Sequence, residues 1–142
     1  MGGLASGDEV ERRLGQALEL ADLSPAQFVE TLLPTMFSAS TPADVVDAFA
    51  ATMLEFHPAG FRAMARASAE NLRDVLPRIH VPTLLLYGDV DLRAPRRVAE
   101  DLHAAIAGST LVMLEGIGHV CNIEAPERFN DEVRRFARSL QG

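Results

Sequence analysis

The sequence predicts an α/β protein in which two short parallel strands with flanking helices follow a layer of helices. Three observations predict it. Residues 83–87 (TLLLY) and 110–114 (TLVML) are brief, largely apolar runs, too short for buried helices. Between them Val98, Leu102, Ala105 and Ile106 recur at helical spacing until Gly108 stops the pattern. Strand, helix and strand joined this tightly form a right-handed crossover, which makes the two strands parallel. Ahead of both strands, amphipathic segments follow one another with no strand among them.

Taken in order, residues 1–8 are Gly-rich and small and read as a lead-in. Val10, Leu14 and Leu18 then mark a helix over 9–23. Ser24-Pro25 is an N-cap followed by a first-turn proline, and it opens a second helix over 25–33 that Pro34 limits. Thr41-Pro42 repeats that signal, and Val46, Phe49, Ala50, Met53 and Leu54 form a stripe to about residue 56. A fourth helix starts near Pro58 and carries Phe61, Met64, Ala65, Ser68 and Leu72 on one side. These segments keep no fixed period, so they are not solenoid repeats. Residues 74–80 are a joint, which divides the chain into a helical region, 1–75, and an α/β portion, 76–142. The first strand is expected to be covered on both faces, and Pro95 to stand in the first turn of the next helix. The final helix, 126–140, places Phe129, Val133, Phe136, Ala137 and Leu140 on a packing face, with Arg134, Arg135 and Arg138 largely opposite.

A length of 142 residues fits one domain. The net charge is −7 and every basic residue is an arginine, with no basic stripe or aromatic interleaving. That composition gives no footprint for a nucleic-acid partner. The single cysteine, Cys121, permits no internal disulfide and fits a reducing compartment. No secretory leader or membrane-length apolar run is present, so the expectation is a cytoplasmic protein without a membrane partner. His57, His80 and His103 match no metal-site spacing, and neither a metal nor another cofactor is expected.

Parallel strands point their carboxyl ends the same way, and in open α/β sheets ligands bind outside those ends. Asp91 follows the first strand and His119 the second. A carboxylate that fixes the tautomer of a histidine is the orienting half of a nucleophile, base and acid triad, and a neutral imidazole can act as general base near neutral pH. Each residue also has a plainer use. Asp91 can cap the helix starting near Ala94 or Pro95, and Asp89 is an equally charged neighbour, here read as a turn former. His119 can be a histidine satisfied in a loop. Glu124 is expected to cap or pair locally near the last helix, and Cys121 to be a small buried hydrophobe. Ser6, Ser38, Ser40 and Ser68 lack the strand-to-helix turn that would present a nucleophile.

The strings G-D-x-D-x-x-x-P (88–95), G-x-G-H (116–119) and x-E-x-P (123–126), with a closing amphipathic helix, resemble the C-terminal part of an α/β-hydrolase over residues 76–140. The resemblance implies that Asp91 is the acid and His119 the base of a serine-type triad, and that residues 1–75 are a helical cap. It implies a small-molecule substrate with an ester, lactone or related bond. In that family the nucleophile sits in G-x-S-x-G, which does not occur in this chain; Gly3, Ser6 and Gly7 have the wrong spacing. The expectation is therefore a half-enzyme, inactive alone, completed by an N-terminal half that brings nucleophile and oxyanion donors. The alternative is a non-catalytic module that self-associates through its exposed sheet edge as a homodimer or strand-exchanged oligomer.

Overall fold

Residues 7–70 and 72–141 are described by the computed structural model. Helix α1 spans Gly7–Leu20, so Gly7 and Asp8, expected in the lead-in, are helical, while residues 1–6 lie outside the described residues. Asp8 and Glu9 sit in its first turn, where negative charge suits the positive end of the helix dipole. Glu9 also pairs with Arg12 and Arg13 one turn on. Helix α2, Pro25–Leu32, starts with a reciprocal capping box between Ser24 and Gln27. The α-helix ends before Pro34, as expected, and Pro34 itself lies in a following 3-10 turn, Leu33–Thr35, at a first-turn position where its missing N–H is not needed.

Helices α3 (Ala43–Met53) and α4 (Pro58–Ser68) complete the layer. The imidazole Nδ1 of His57 caps α4 by accepting the Gly60 N–H at 3.4 Å. Aromatic rings hold the layer together. Phe28 stacks on Phe56 with centroids 4.0 Å apart and meets Phe61 edge-on at 5.1 Å, while Phe37 meets Phe49 edge-on at 5.2 Å. Ala21, Leu32 and Ala65 are buried in the same layer.

Strands β1 (Leu84–Gly88) and β2 (Thr110–Leu114) pair in parallel, from Leu84 opposite Thr110 to Gly88 opposite Leu114. Helix α5, Arg96–Ala105, forms the crossover, with Pro95 at its N-cap position rather than in its first turn. Gly108, at φ 76°, closes the joint to β2 in a conformation open to glycine. A short helix α6, Cys121–Glu124, not expected from the sequence, precedes α7, Pro126–Ser139. Both α5 and α7 pack along both strands. Leu114, Ile117 and Cys121 are the buried centre of this part, with Leu86, Val112, Ala125 and Phe129 packed around them.

Two expectations fail at the periphery. Leu84, Leu85, Leu86 and Tyr87 are only half-buried, although a parallel pair normally has both faces covered. On α7, Phe129 and Phe136 are half-buried, while Val133 and Leu140, placed on the packing face from the sequence, are exposed.

Candidate active site

The carboxyl ends of β1 and β2 are tied together before any polar side chain is considered. Asp89 N–H donates to the Leu114 carbonyl at 3.0 Å and Val90 N–H to the Ile117 carbonyl at 3.2 Å. Asp89 then accepts the Gly116 N–H at 2.6 Å through Oδ1, which makes it the former of the double turn. On that frame Asp91 and His119 meet: His119 Nδ1 lies 2.8 Å from Asp91 Oδ2. The other oxygen of Asp91, Oδ1, accepts the N–H groups of Arg93 at 2.7 Å and Ala94 at 2.9 Å. The helix-capping role that the sequence also allowed is not what is found, since α5 starts at Arg96 with Pro95 as its N-cap and no side-chain cap; one oxygen of Asp91 ties its own turn and the other orients the imidazole. The Asp91 side chain is 3% exposed and that of His119 31%, so the acid is enclosed and the imidazole reaches solvent. An ionised carboxylate only accepts, so Nδ1 carries the proton and Nε2 keeps a free lone pair.

His119 is placed by a different part of the chain. Its N–H donates to the Met36 carbonyl at 2.8 Å, and the Val120 N–H reaches the same oxygen at 3.2 Å. Glu124 was expected to act locally; it does accept the Gly118 N–H at 2.9 Å, but it also reaches Ser38 in the helical layer. Burial raises the Glu124 carboxyl, yet the hydrogen bonds from Ser38, Gly118 and Thr41 outweigh it and hold the group below its ordinary value of 4.5. The sequence signal for this contact is the glutamate of the x-E-x-P string; its partner, Ser38, carries none.

No protein-family model matches the chain. A pimeloyl-[acyl-carrier protein] methyl ester esterase of Neisseria meningitidis is 33% identical over 78 residues, covering 55% of this chain and 25% of that protein. The AB hydrolase superfamily protein YisY of Bacillus subtilis is 39% identical over 70 residues, covering 49% of this chain and 26% of that protein. A thermophilic esterase from Thermogutta terrifontis superposes over 100% of this chain and 54% of its own, with a TM-score of 0.84 and 26% identity. The chain matches a fragment of the α/β-hydrolase fold. It spans about half the length of the solved esterase, and its matched segment spans about a quarter of the curated relatives.

Other polar groups of the chain have structural partners. Cys121 is buried; burial pushes its thiol up, against the Cys121 and Asn122 backbone N–H groups, and nearby Asp91 and Glu124 add to the rise. A thiol so placed is a weak nucleophile at neutral pH. The Ser38 and Ser40 hydroxyls bond to each other at 2.9 Å, and Ser6 lies outside the described residues. His103 Nδ1 sits 2.8 Å from Ser109 Oγ. Among the described residues, no three His, Cys, Asp or Glu side chains converge as a metal site would require, and no helix is long and apolar enough to cross a membrane. Arg93, which the sequence did not single out, donates to Thr35 Oγ1 at 3.3 Å; burial lowers its pKa while the Asp91 charge opposes that shift. It borders a groove of about 490 Å³ between α1, α4 and the 92–95 turn, lined by Leu14, Leu20, Phe61 and Met64. Neither Asp91 nor His119 lines that groove.

Proposed function

We propose that this chain supplies the acid and base of a serine-type hydrolase acting on a carboxylic ester or a related bond. The observation that carries the proposal is the 2.8 Å pairing of His119 Nδ1 with Asp91 at the carboxyl ends of two parallel strands, which leaves Nε2 as the nitrogen turned to chemistry. Asp91 orients the imidazole and stabilises its protonated form. Nε2 of His119 takes the proton of a nucleophile hydroxyl as that oxygen attacks the ester carbonyl, then passes it to the departing alcohol. Water, deprotonated by the same nitrogen, releases the acid and regenerates the hydroxyl. The relatives named as esterases support the choice of bond.

The nucleophile and the oxyanion donors come from a second segment, since G-x-S-x-G does not occur in this sequence. Residues 1–75 form the cap over the site and 76–142 the catalytic portion, working on a small-molecule substrate in the cytoplasm. The test is a fusion in which the N-terminal half of a serine esterase of this fold precedes the chain. With an aryl acetate as substrate, the chain alone is expected to show no turnover above background and the fusion to turn over. His119→Ala in the fusion is expected to reduce kcat by about 10³–10⁴-fold. A folded fusion that is equally active with and without His119 removes the proposal.

A second reading rests on the half-buried strand residues of β1: a module that pairs with its own copy along the open sheet edge and catalyses nothing. The same fusion separates the two, because a pure association module confers no histidine-dependent turnover.

A further inference from the structure

The two members of the Asp91–His119 pair are held by unrelated parts of the molecule. Asp91 is fixed within its own turn, where Arg93 N–H and Ala94 N–H clamp Oδ1 at 2.7 and 2.9 Å. Nothing beyond residue 94 is needed to aim that carboxylate. His119 has no such local clamp: its own N–H and that of Val120 converge on one oxygen, the Met36 carbonyl, in the helical layer. The distance between acid and imidazole therefore depends on how residues 118–120 sit against residues 36–38.

That junction is tight and irregular. A Cβ built on Gly118 would lie 2.7 Å from the Phe37 carbonyl carbon and 2.8 Å from the Ser38 nitrogen, so the two backbones touch where only glycine fits. At such a crossing the Gly118 and Ser38 N–H groups face away from any carbonyl ladder. Each still requires an acceptor. One carboxylate serves both: Glu124 Oε2 accepts Gly118 N–H at 2.9 Å and Ser38 N–H at 3.2 Å, while Oε1 accepts the Ser38 hydroxyl and lies 3.3 Å from the same Ser38 N–H. Hydrogen bonds to an ionised carboxylate are stronger than neutral ones, and a neutral amide side chain would turn donors toward donors.

We propose that Glu124 is the positioning residue of His119, its carboxylate clamping residue 118 to residue 38 so that the imidazole meets an independently fixed Asp91. The proposal concerns the geometry of the pair and deepens the hydrolase reading without needing turnover to be seen. Its test reads the pair directly. In the 142-residue chain, the His119 Nδ1 proton shared with Asp91 gives a downfield proton NMR signal, assigned by its loss in His119→Gln. In Glu124→Gln, with circular dichroism showing a folded chain, that signal is expected to disappear through exchange with water. Glu127→Gln, in the first turn of α7 and exposed, is expected to leave it unchanged.

Ser38→Ala keeps the carboxylate but removes the hydroxyl donor, and is expected to speed exchange of the same proton by about tenfold. If Glu124→Gln does not fold, the Ser38→Ala measurement decides. An unchanged signal in folded Glu124→Gln, or, where that variant is unfolded, unchanged exchange in Ser38→Ala, overturns the proposal. Absence of turnover in the fusion leaves this signal untouched, so failure of the hydrolase reading and failure of the clamp are separately visible.

Discussion

Asp91, in the turn after β1, and Glu124, at the end of α6, are both carboxylates that accept backbone N–H groups, yet only the first also reaches the imidazole. Because the Glu124 carboxyl is held below 4.5, the folded state prefers its ionised form more than the unfolded chain does. The stability this gives is complete above pH 4.5 and is lost as the pH falls through the lower folded-state value. The stability difference between the native chain and Glu124→Gln, measured by urea unfolding, is accordingly expected to be largest near pH 7 and to shrink progressively below pH 4.5. A difference that stays constant down to pH 3 would place the stabilisation elsewhere. At this scale the sequence was informative where a residue type and a strand end coincide, as for Asp91 and His119. It was silent for Met36 and Arg93, whose roles are a backbone carbonyl and a half-buried cation brought in by tertiary packing.

Among the elements, the strand and crossover pattern was readable because apolar runs, Gly108 and the proline positions all act over a few residues. The ends were not. α1 began earlier and stopped sooner than the expected span of 9–23, since the acidic first turn and the turn leading into the Ser24 cap set its limits. α6 escaped notice because four residues carry no period. Glycines separate the elements by what surrounds them. A Cβ on Gly88 would sit 2.1 Å from the Ile117 carbonyl oxygen and 2.3 Å from that of Gly118, whereas one on Gly15, exposed within α1, meets nothing within 4 Å. Gly88→Ala is expected to destabilise the chain by about 3 kcal/mol through displacement of the second strand's exit. Gly15→Ala is expected to stabilise it by roughly 0.5–1 kcal/mol through helix propensity. Thermal or urea unfolding of the two variants should move them in opposite directions.

For the whole molecule, the core is thin where the sheet is. No large side chain among the described residues is fully buried, and Leu84 to Tyr87 stay half-exposed in a pair that has only one ordered neighbour each. Apolar strand surface of that kind is expected to find a partner. Light scattering of the purified chain should therefore give a mass of at least twice 15.4 kDa, and the amide protons of β1 should be protected along both edges. A monomer with rapidly exchanging outer β1 amides would show that the open edge is tolerated as it stands. The Met36 carbonyl, which receives two N–H groups from the histidine turn, has a mechanical consequence. It acts as a rivet between the histidine turn and the stretch of chain that joins α2 to α3. A shift of residues 36–38 would then be passed directly to residues 118–120 and so to the imidazole.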